Sequence, residues 1–293
     1  MRILLLGGDT PIGHSLRAFI TPLQRHELLL VPLEATRWKR ERQVKKLLRQ
    51  DDCDVVLDAR FISLIEGRDQ VGQPDIERTQ WLAELCQKFG MQHFQLSSAK
   101  VYSGQLQRPY KETDVADASD MVGELLIAAE QILQSQLENS FILRVGKVFS
   151  GRSPVGMTRM LDAWRKGERL VVSDRFRDSP VHSAEVARVV AGIIDQIGVG
   201  APSRGIYHYC SQGDTGYYAF AEAVIACASQ FEVFANARNC LQESDNDEYL
   251  GFNRTLDCTA IRHEFGIQQL PWRDFIERAV RRYIELTVQE NGK

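Results

Sequence analysis

The first residues with chemistry to offer follow directly on an apolar run: Gly7-Gly8-Asp9-Thr10-Pro11-Ile12-Gly13. A turn of small residues at the start of a helix lets backbone N–H groups approach a pyrophosphate closely, and the helix dipole favours its negative charge. Gly7 and Gly13 suit the tight turn and close helix-to-strand packing, with Thr10, Pro11 and Ile12 between them. Asp9 would repel a phosphate unless it points away, and it suits the cap of the helix that Pro11 begins. Two readings stand on this spacing: a nucleotide-binding turn, and a well-capped helix with no ligand. Choice of cofactor would fall at the end of the second strand, where an acid holds a ribose hydroxyl pair and a base holds a 2′-phosphate. Glu34 stands there among Arg37, Lys39 and Arg40, so NAD and NADP both fit, as does a solvated helix face. Asp58 and Ala59, closing the third strand, join this candidate cofactor set.

The elements that must position these residues alternate. Arg2 to Leu6, His26 to Pro32, Asp54 to Ala59, His93 to Leu96 and Phe141 to Val145 read as strands. Helical spacing marks Ile12 to Ile20, a basic stretch from Arg37 to Arg49, Glu77 to Phe89 and Met121 to Leu137. The continuous apolar character of DVVLDA suits a strand covered on both faces. Strand and helix taking turns through short connections predicts an α/β fold of the doubly wound, Rossmann type with a parallel sheet. Beyond Gly151 the rhythm loosens: helices near Thr158 to Lys166, Ser183 to Ile194 and Tyr217 to Gln230, and a strand at Leu170 to Ser173. This predicts a nucleotide-binding domain over 1–150 and a smaller α/β substrate lobe over 151–293, interleaved with the first. Gln242 to Glu248 reads as a solvated acidic loop.

Bulk properties narrow the field. The 293 residues are 44% hydrophobic and 26% charged, enough for one large core or a core with an appended lobe. A net charge of −3 with both signs dispersed gives no field to gather nucleic acid or anionic lipid, so any phosphate site must be local. The apolar run Ile3 to Leu6 is broken by glycine well short of a signal-peptide or membrane-spanning length, which makes a cytoplasmic location the expectation. Cys53, Cys86, Cys210, Cys227, Cys240 and Cys258 form no C-x-x-C pair, so neither a zinc site nor a disulfide framework is expected, and no metal.

Several later segments, with the turn, resemble the extended short-chain dehydrogenases, most closely the dTDP-4-dehydrorhamnose reductase family of sugar-nucleotide proteins. They are LSSAKVYSG (Leu96 to Gly104), PYKETD (Pro109 to Asp114), GELLIAAEQIL (Gly123 to Leu133), ILRVGKVFSG (Ile142 to Gly151), RDSPVHSAEVA (Arg177 to Ala187) and RTLDCTAIRHEFGI (Arg254 to Ile267). In that family a Ser or Thr polarises the substrate carbonyl, a Tyr donates the proton, and a Lys four residues on tunes the Tyr and holds the nicotinamide ribose. The resemblance gives Ser98 the first role. It puts Val122 at the tyrosine position, Leu126 at the lysine position and Thr10 at the middle glycine of the turn. Neither Val nor Leu can donate a proton, and losing a positioned general acid costs about 10²–10⁴ in rate, or roughly 3–5 kcal/mol of barrier.

Arg177 and Arg254 match positions whose relatives contact the diphosphate of a nucleotide sugar, a task suited to the arginine fork. Each also suits an ordinary salt bridge, and Asp257 suits either orienting Arg254 or capping the next helix. The resemblance with its departures implies a protein that has lost reductase activity and acts by binding a nucleotide, a sugar nucleotide or a protein partner, a homo-oligomer included. The regulatory beta subunit of methionine adenosyltransferase resembles the same fold, and this sequence shares its C-terminal R-x-x-D pattern. The alternative is an active NAD(P)-dependent oxidoreductase on a 4-keto nucleotide sugar, with a donor displaced to Tyr102 or Tyr110 beside Lys100.

Overall fold

The computed structural model describes residues 1–67, 71–201, 204–234, 241–244 and 252–291. Along the first half run β1 (Arg2–Leu6), α1 (Pro11–Leu23), β2 (Glu27–Val31), α2 (Glu41–Asp51), β3 (Val55–Asp58), α3 (Arg60–Glu66), α4 (Gln73–Phe89), β4 (Gln92–Ser98), α5 (Met121–Gln136) and β5 (Ser140–Val145). The second half adds β6 (Lys147–Phe149), α6 (Met157–Arg165), β7 (Leu170–Val172), β8 (Phe176–Asp178), β9 (Pro180–His182), α7 (Ser183–Gly198), β10 (Gly205–Tyr209), β11 (Thr215–Gly216), α8 (Tyr217–Ala228), β12 (Leu241–Glu243), β13 (Phe252–Asn253), α9 (Thr259–Phe265) and α10 (Ile276–Asn291).

Six strands form one parallel sheet in the order β10-β5-β4-β3-β1-β2. The chain winds outward from β1 in one direction and from β3 in the other, so the topological switch point lies between their C-terminal ends, where open α/β sheets bind ligands. Strand alternation decides which core each residue joins. Ile3, Leu5, Val55, Leu57, Phe141 and Leu143 pack with Ile12, Leu16 and Ile20 of α1 and Val186, Val190 and Ile193 of α7. Leu4, Leu6, Val56 and Ile142 face the other way, onto Val44 and Leu48 of α2 and Leu82 and Cys86 of α4. Both faces are thus covered, as the apolar strands predict.

The chain beyond residue 150 contributes β10 to the edge of this sheet and α7 to the layer beside α1. It also builds a separate core from Phe149, Leu161, Trp164, Phe220, Val224, Trp272 and Val280. Small sheets flank it: β8 between β11 and β13, β7 with β12, and β6 with β9.

Three elements depart from the sequence pattern. The basic stretch after β2 is a 3₁₀ turn at Glu34–Thr36 followed by an extended Arg40, and α2 starts only at Glu41, because the Gln43 side chain accepts from the Lys39 N–H at 2.7 Å and the Arg40 N–H at 3.2 Å. α3 went unread because it is buried on every side and has no amphipathic period. Leu241–Glu243 pairs with β7 as a strand where a loop was expected; residues 245–248 of that loop, and Cys240, lie outside the described residues. Cys53, Cys86, Cys210, Cys227 and Cys258 are free thiols.

Candidate functional site

The turn after β1 has the tight geometry the glycines predict. Gly7 sits at φ +85°, and a Cβ on Gly13 would come within 2.1 Å of the Gly7 carbonyl, so α1 can start this close to β1 only with glycine there. The cap, however, is Thr10 and not Asp9. The Thr10 hydroxyl accepts from the Gly13 N–H at 3.2 Å, donates to the Gly7 carbonyl at 2.6 Å and meets the Ser63 hydroxyl at 2.8 Å. Thr10 is buried, while exposed Asp9 reaches across to accept from the Leu33 N–H at 2.7 Å. Asp9 therefore ties the turn to the end of β2, placing a carboxylate beside the route a pyrophosphate would take. Pro11 and Ile12 begin α1, with Ile12 fully buried in the core.

At the other side of the switch point, Asp58 and Ala59 do not face a ligand. Asp58 is fully buried and bidentate to Arg60, with contacts of 2.7–3.1 Å, and His93 stands 3.5 Å away. Burial works to raise its carboxyl, but Arg60 and His93 overcome this and hold it well below the usual range. The Ala59 N–H donates to the Leu6 carbonyl, and its carbonyl accepts from Ser63. The Asp58 side chain and the Ala59 backbone both carry internal hydrogen bonds.

Next to them lies a pocket of about 290 Å³ lined by Leu33, Thr36, Arg37, Arg60, Leu64 and Arg78. Arg60 is 2% exposed and its Nη1 has no hydrogen-bond partner, so a buried cation donor is left over where an adenosine would lie. Glu34 and Arg37 pair with each other at 2.9 Å on this rim. The nucleoside end of a dinucleotide therefore fits.

Asp120 caps α5 through the Gly123 N–H at 3.0 Å, and a Cβ on Gly123 would fall 2.6 Å from the Lys100 carbonyl. The helix is thus pressed against the 3₁₀ turn Ala99–Val101 that follows β4. The two α5 residues expected at the family's tyrosine and lysine positions are Val122, half-buried against the core, and Leu126, fully buried in it. Ser98 stands at the end of β4, 7% exposed, and accepts from the Lys100 N–H at 3.3 Å, so its hydroxyl serves the turn. Tyr102 and Tyr110 are buried and stacked at 4.0 Å. The Tyr102 hydroxyl contacts Arg144 at 2.6 Å and His208 at 2.9 Å, and the Tyr110 hydroxyl accepts from the Gly104 N–H at 3.0 Å. Both hydroxyls are held in these internal contacts.

The cleft in front of α5 is lined by cations. Arg254 reaches Asp120 at 3.1 Å, lies 4.5 Å over the Phe252 ring, and keeps a buried Nε without a partner. The Lys147 ammonium sits 3.4 Å over the Tyr217 ring. It is open to solvent yet ringed by protein, and that crowding lowers it to about 8. Between them Asp178 is 7% exposed; burial raises its carboxyl against the opposing pull of Lys147, Arg254 and Lys100. The Tyr217 hydroxyl donates to Asp178 at 3.4 Å and is itself pushed up by burial and by that carboxylate. Phe176, Tyr217 and Phe252 form an aromatic wall with ring centroids 5.1–6.1 Å apart.

Arg177 and Arg254 do not share a partner. Alternation along β8 turns Asp178 inward and Arg177 outward, where it pairs with Asp214 at 2.5 Å and is 46% exposed. Asp257 accepts from the Thr259 N–H at 2.7 Å, so it caps α9. Lys147 and Asp178 were missed as candidates, although each is a charge in a mostly apolar or small-residue run (RVGKVF, RDSPVH) and so carried a readable signal.

A parallel sheet with the turn at its switch point and a cleft closed by a smaller lobe defines an extended short-chain dehydrogenase/reductase. Within that class the chain belongs to the family described as RmlD substrate binding domain, whose model matches residues 1–285. It is 23% identical to the dTDP-4-dehydrorhamnose reductase of Burkholderia thailandensis over an alignment of 304 residues, covering 96% of this chain and 98% of the relative. It is 28% identical to the spore coat polysaccharide biosynthesis protein SpsK of Bacillus subtilis over 139 residues, 47% of each chain. The dTDP-4-dehydrorhamnose reductase of Bacillus anthracis, solved in complex with NADP, superposes with a TM-score of 0.76 at 16% identity, covering 97% of this chain and 99% of that one.

Proposed function

We propose that this chain binds a nucleotide sugar in the cleft of Lys100, Lys147 and Arg254 without reducing it, and that it serves a regulatory or scaffold role. The observation that carries this is the contrast along one cleft. Val122 and Leu126 supply neither proton donor nor ribose anchor, while Arg254 keeps an unpartnered buried Nε beside an aromatic wall. A diphosphate takes the cations, and a base or sugar ring packs on Phe252 and Tyr217.

Titration calorimetry with dTDP-glucose tests it. Saturable binding is expected, with Arg254→Ala weakening it at least about 10-fold, equivalent to ~1.4 kcal/mol. NADPH oxidation with a 4-keto dTDP-sugar should stay at background. The second reading, a reductase with a displaced donor, is favoured by one contact: the Lys147 ammonium against the Tyr217 ring. NADPH turnover that disappears in Tyr217→Phe would establish that reading and sink the first.

A further inference from the structure

Beside α1, from His14 in its first turn onward, opens a second cleft, of about 900 Å³, walled by α1, the Ser150–Arg152 segment, the start of α7 and α10. It is larger than the pocket at the switch point and within the range of small-molecule sites. Five arginines line it, Arg17, Arg152, Arg278, Arg281 and Arg282, against the carboxylates of Asp274, Glu277 and Glu285. Two of the five are neutralised locally: Arg281 pairs with Glu277, and Arg282 with Glu285, each at 2.7 Å. Among the described residues, Arg17, Arg152 and Arg278 have no carboxylate within ion-pair distance, and Asp274 alone faces them without a cation.

A protein of net charge −3 has thus gathered unpaired arginines from three separate elements around one hollow. His14 is lowered by burial and by Arg152, Arg17 and Arg282, and Arg152 by burial and by Arg282. His182 lines the cleft and is 5% exposed, its ring stacked on Phe275; its Nδ1 accepts from the Ala184 N–H at 3.1 Å, and its Nε2 makes no hydrogen bond among the described residues. Arg278 and burial keep that ring neutral, at about 4, so Nε2 carries the proton and is a donor.

We propose that this cleft is a second ligand site, taking a small polyanion with two or more phosphoryl groups, held by Arg17, Arg152 and Arg278 with the His182 Nε2–H as a directed donor. Arginine forks match phosphoryl oxygens in pairs, and a donor nine-tenths buried in the lining of an open basic cleft gives the anion one orientation. The site shares no residue with the nucleotide-sugar cleft, although the two are neighbours: the His182 ring meets Phe149, which lines the pocket holding Lys147, at 5.2 Å.

Inorganic pyrophosphate is the probe, measured by calorimetry at low salt, where exposed charges are least screened. Measured in the Arg254→Ala background, which removes the diphosphate-binding cation of the other cleft, saturable binding is expected, weakened at least about 10-fold by adding the Arg152→Glu/Arg278→Glu pair. Arg152 and Arg278 are exposed, so the variant carrying the pair should fold, and an unaltered circular dichroism spectrum would establish that. His182→Phe should weaken pyrophosphate about 5-fold or more, which mere loss of surface charge would not do. Three results overturn the proposal: no saturable binding up to about 5 mM in the Arg254→Ala background, affinity there unchanged by the added Arg152→Glu/Arg278→Glu pair, or tighter binding of poly-glutamate than of pyrophosphate, which would make the cleft a docking surface for an acidic protein segment.

Discussion

Arg144→Met is expected to destabilise the fold by about 3–5 kcal/mol, because it strands a buried carboxylate. Arg144 and Glu130 are 4% and 2% exposed and pair at 2.6 Å. Glu130 also accepts from the Ser97 hydroxyl at 2.5 Å, and Arg144 donates to the Tyr102 hydroxyl, which meets His208. This chain of contacts joins β4, α5, β5 and β10 directly behind Ser98, so its loss should also loosen the floor of the cleft. Burial of a pair is weak evidence of net stabilisation, and the test turns on that distinction. The double variant Glu130→Leu/Arg144→Met, which leaves no unpaired charge, should recover most of the loss. Urea denaturation of both variants decides it: equal losses in the single and double variants would show that the network acts through packing and shape, not through charge pairing.

The second large effect concerns Glu66, at the end of α3. It is 4% exposed, neither carboxyl oxygen has a hydrogen-bond partner, and burial raises it to about 8. Its value in the unfolded chain is 4.5, so between these limits the folded state holds a proton that the unfolded state releases. The stability that comes from holding it is complete below pH 4.5 and is lost as pH rises through about 8, a total on the order of 5 kcal/mol. Glu66→Gln carries no such proton. It is expected to flatten the fall in stability between pH 5 and pH 8.5 and to be the more stable protein at the alkaline end. Parallel slopes for the two proteins would sink the assignment. The Ser153 hydroxyl donates to the Glu66 carbonyl at 2.9 Å, so α3 is tied to the segment leading into the arginine-lined cleft, and ionisation of Glu66 should be felt there.

Much of this was legible before any coordinates. Ile3 and Leu5 against Leu4 and Leu6, or Ile12, Leu16 and Ile20 along α1, are patterns whose meaning depends only on a period of two or of three to four residues. Such patterns settle element type and the face each residue buries, which is why the doubly wound sheet could be read from them. The absence of a hydroxyl at Val122 and of an ammonium at Leu126 is likewise a fact of composition that no folding can reverse.

Direction is another matter. Whether Asp9 or Thr10 caps α1 depended on the Leu33 N–H and the Ser63 hydroxyl, 24 and 53 residues away. Asp58 turned inward because Arg60 and His93 compensate its charge there, and Arg254 turned toward α5 because Asp120, 134 residues earlier, waits at its cap. The arginines of the second cleft come from α1, the segment after β6 and α10, and nothing in their local sequences joins them. Periodicity is short-ranged, so the sequence by itself determined the layers and the missing chemistry of α5. Charge compensation and donor–acceptor pairing act across the folded chain, so only the tertiary structure decided which polar groups were spent inside and which were left facing a ligand.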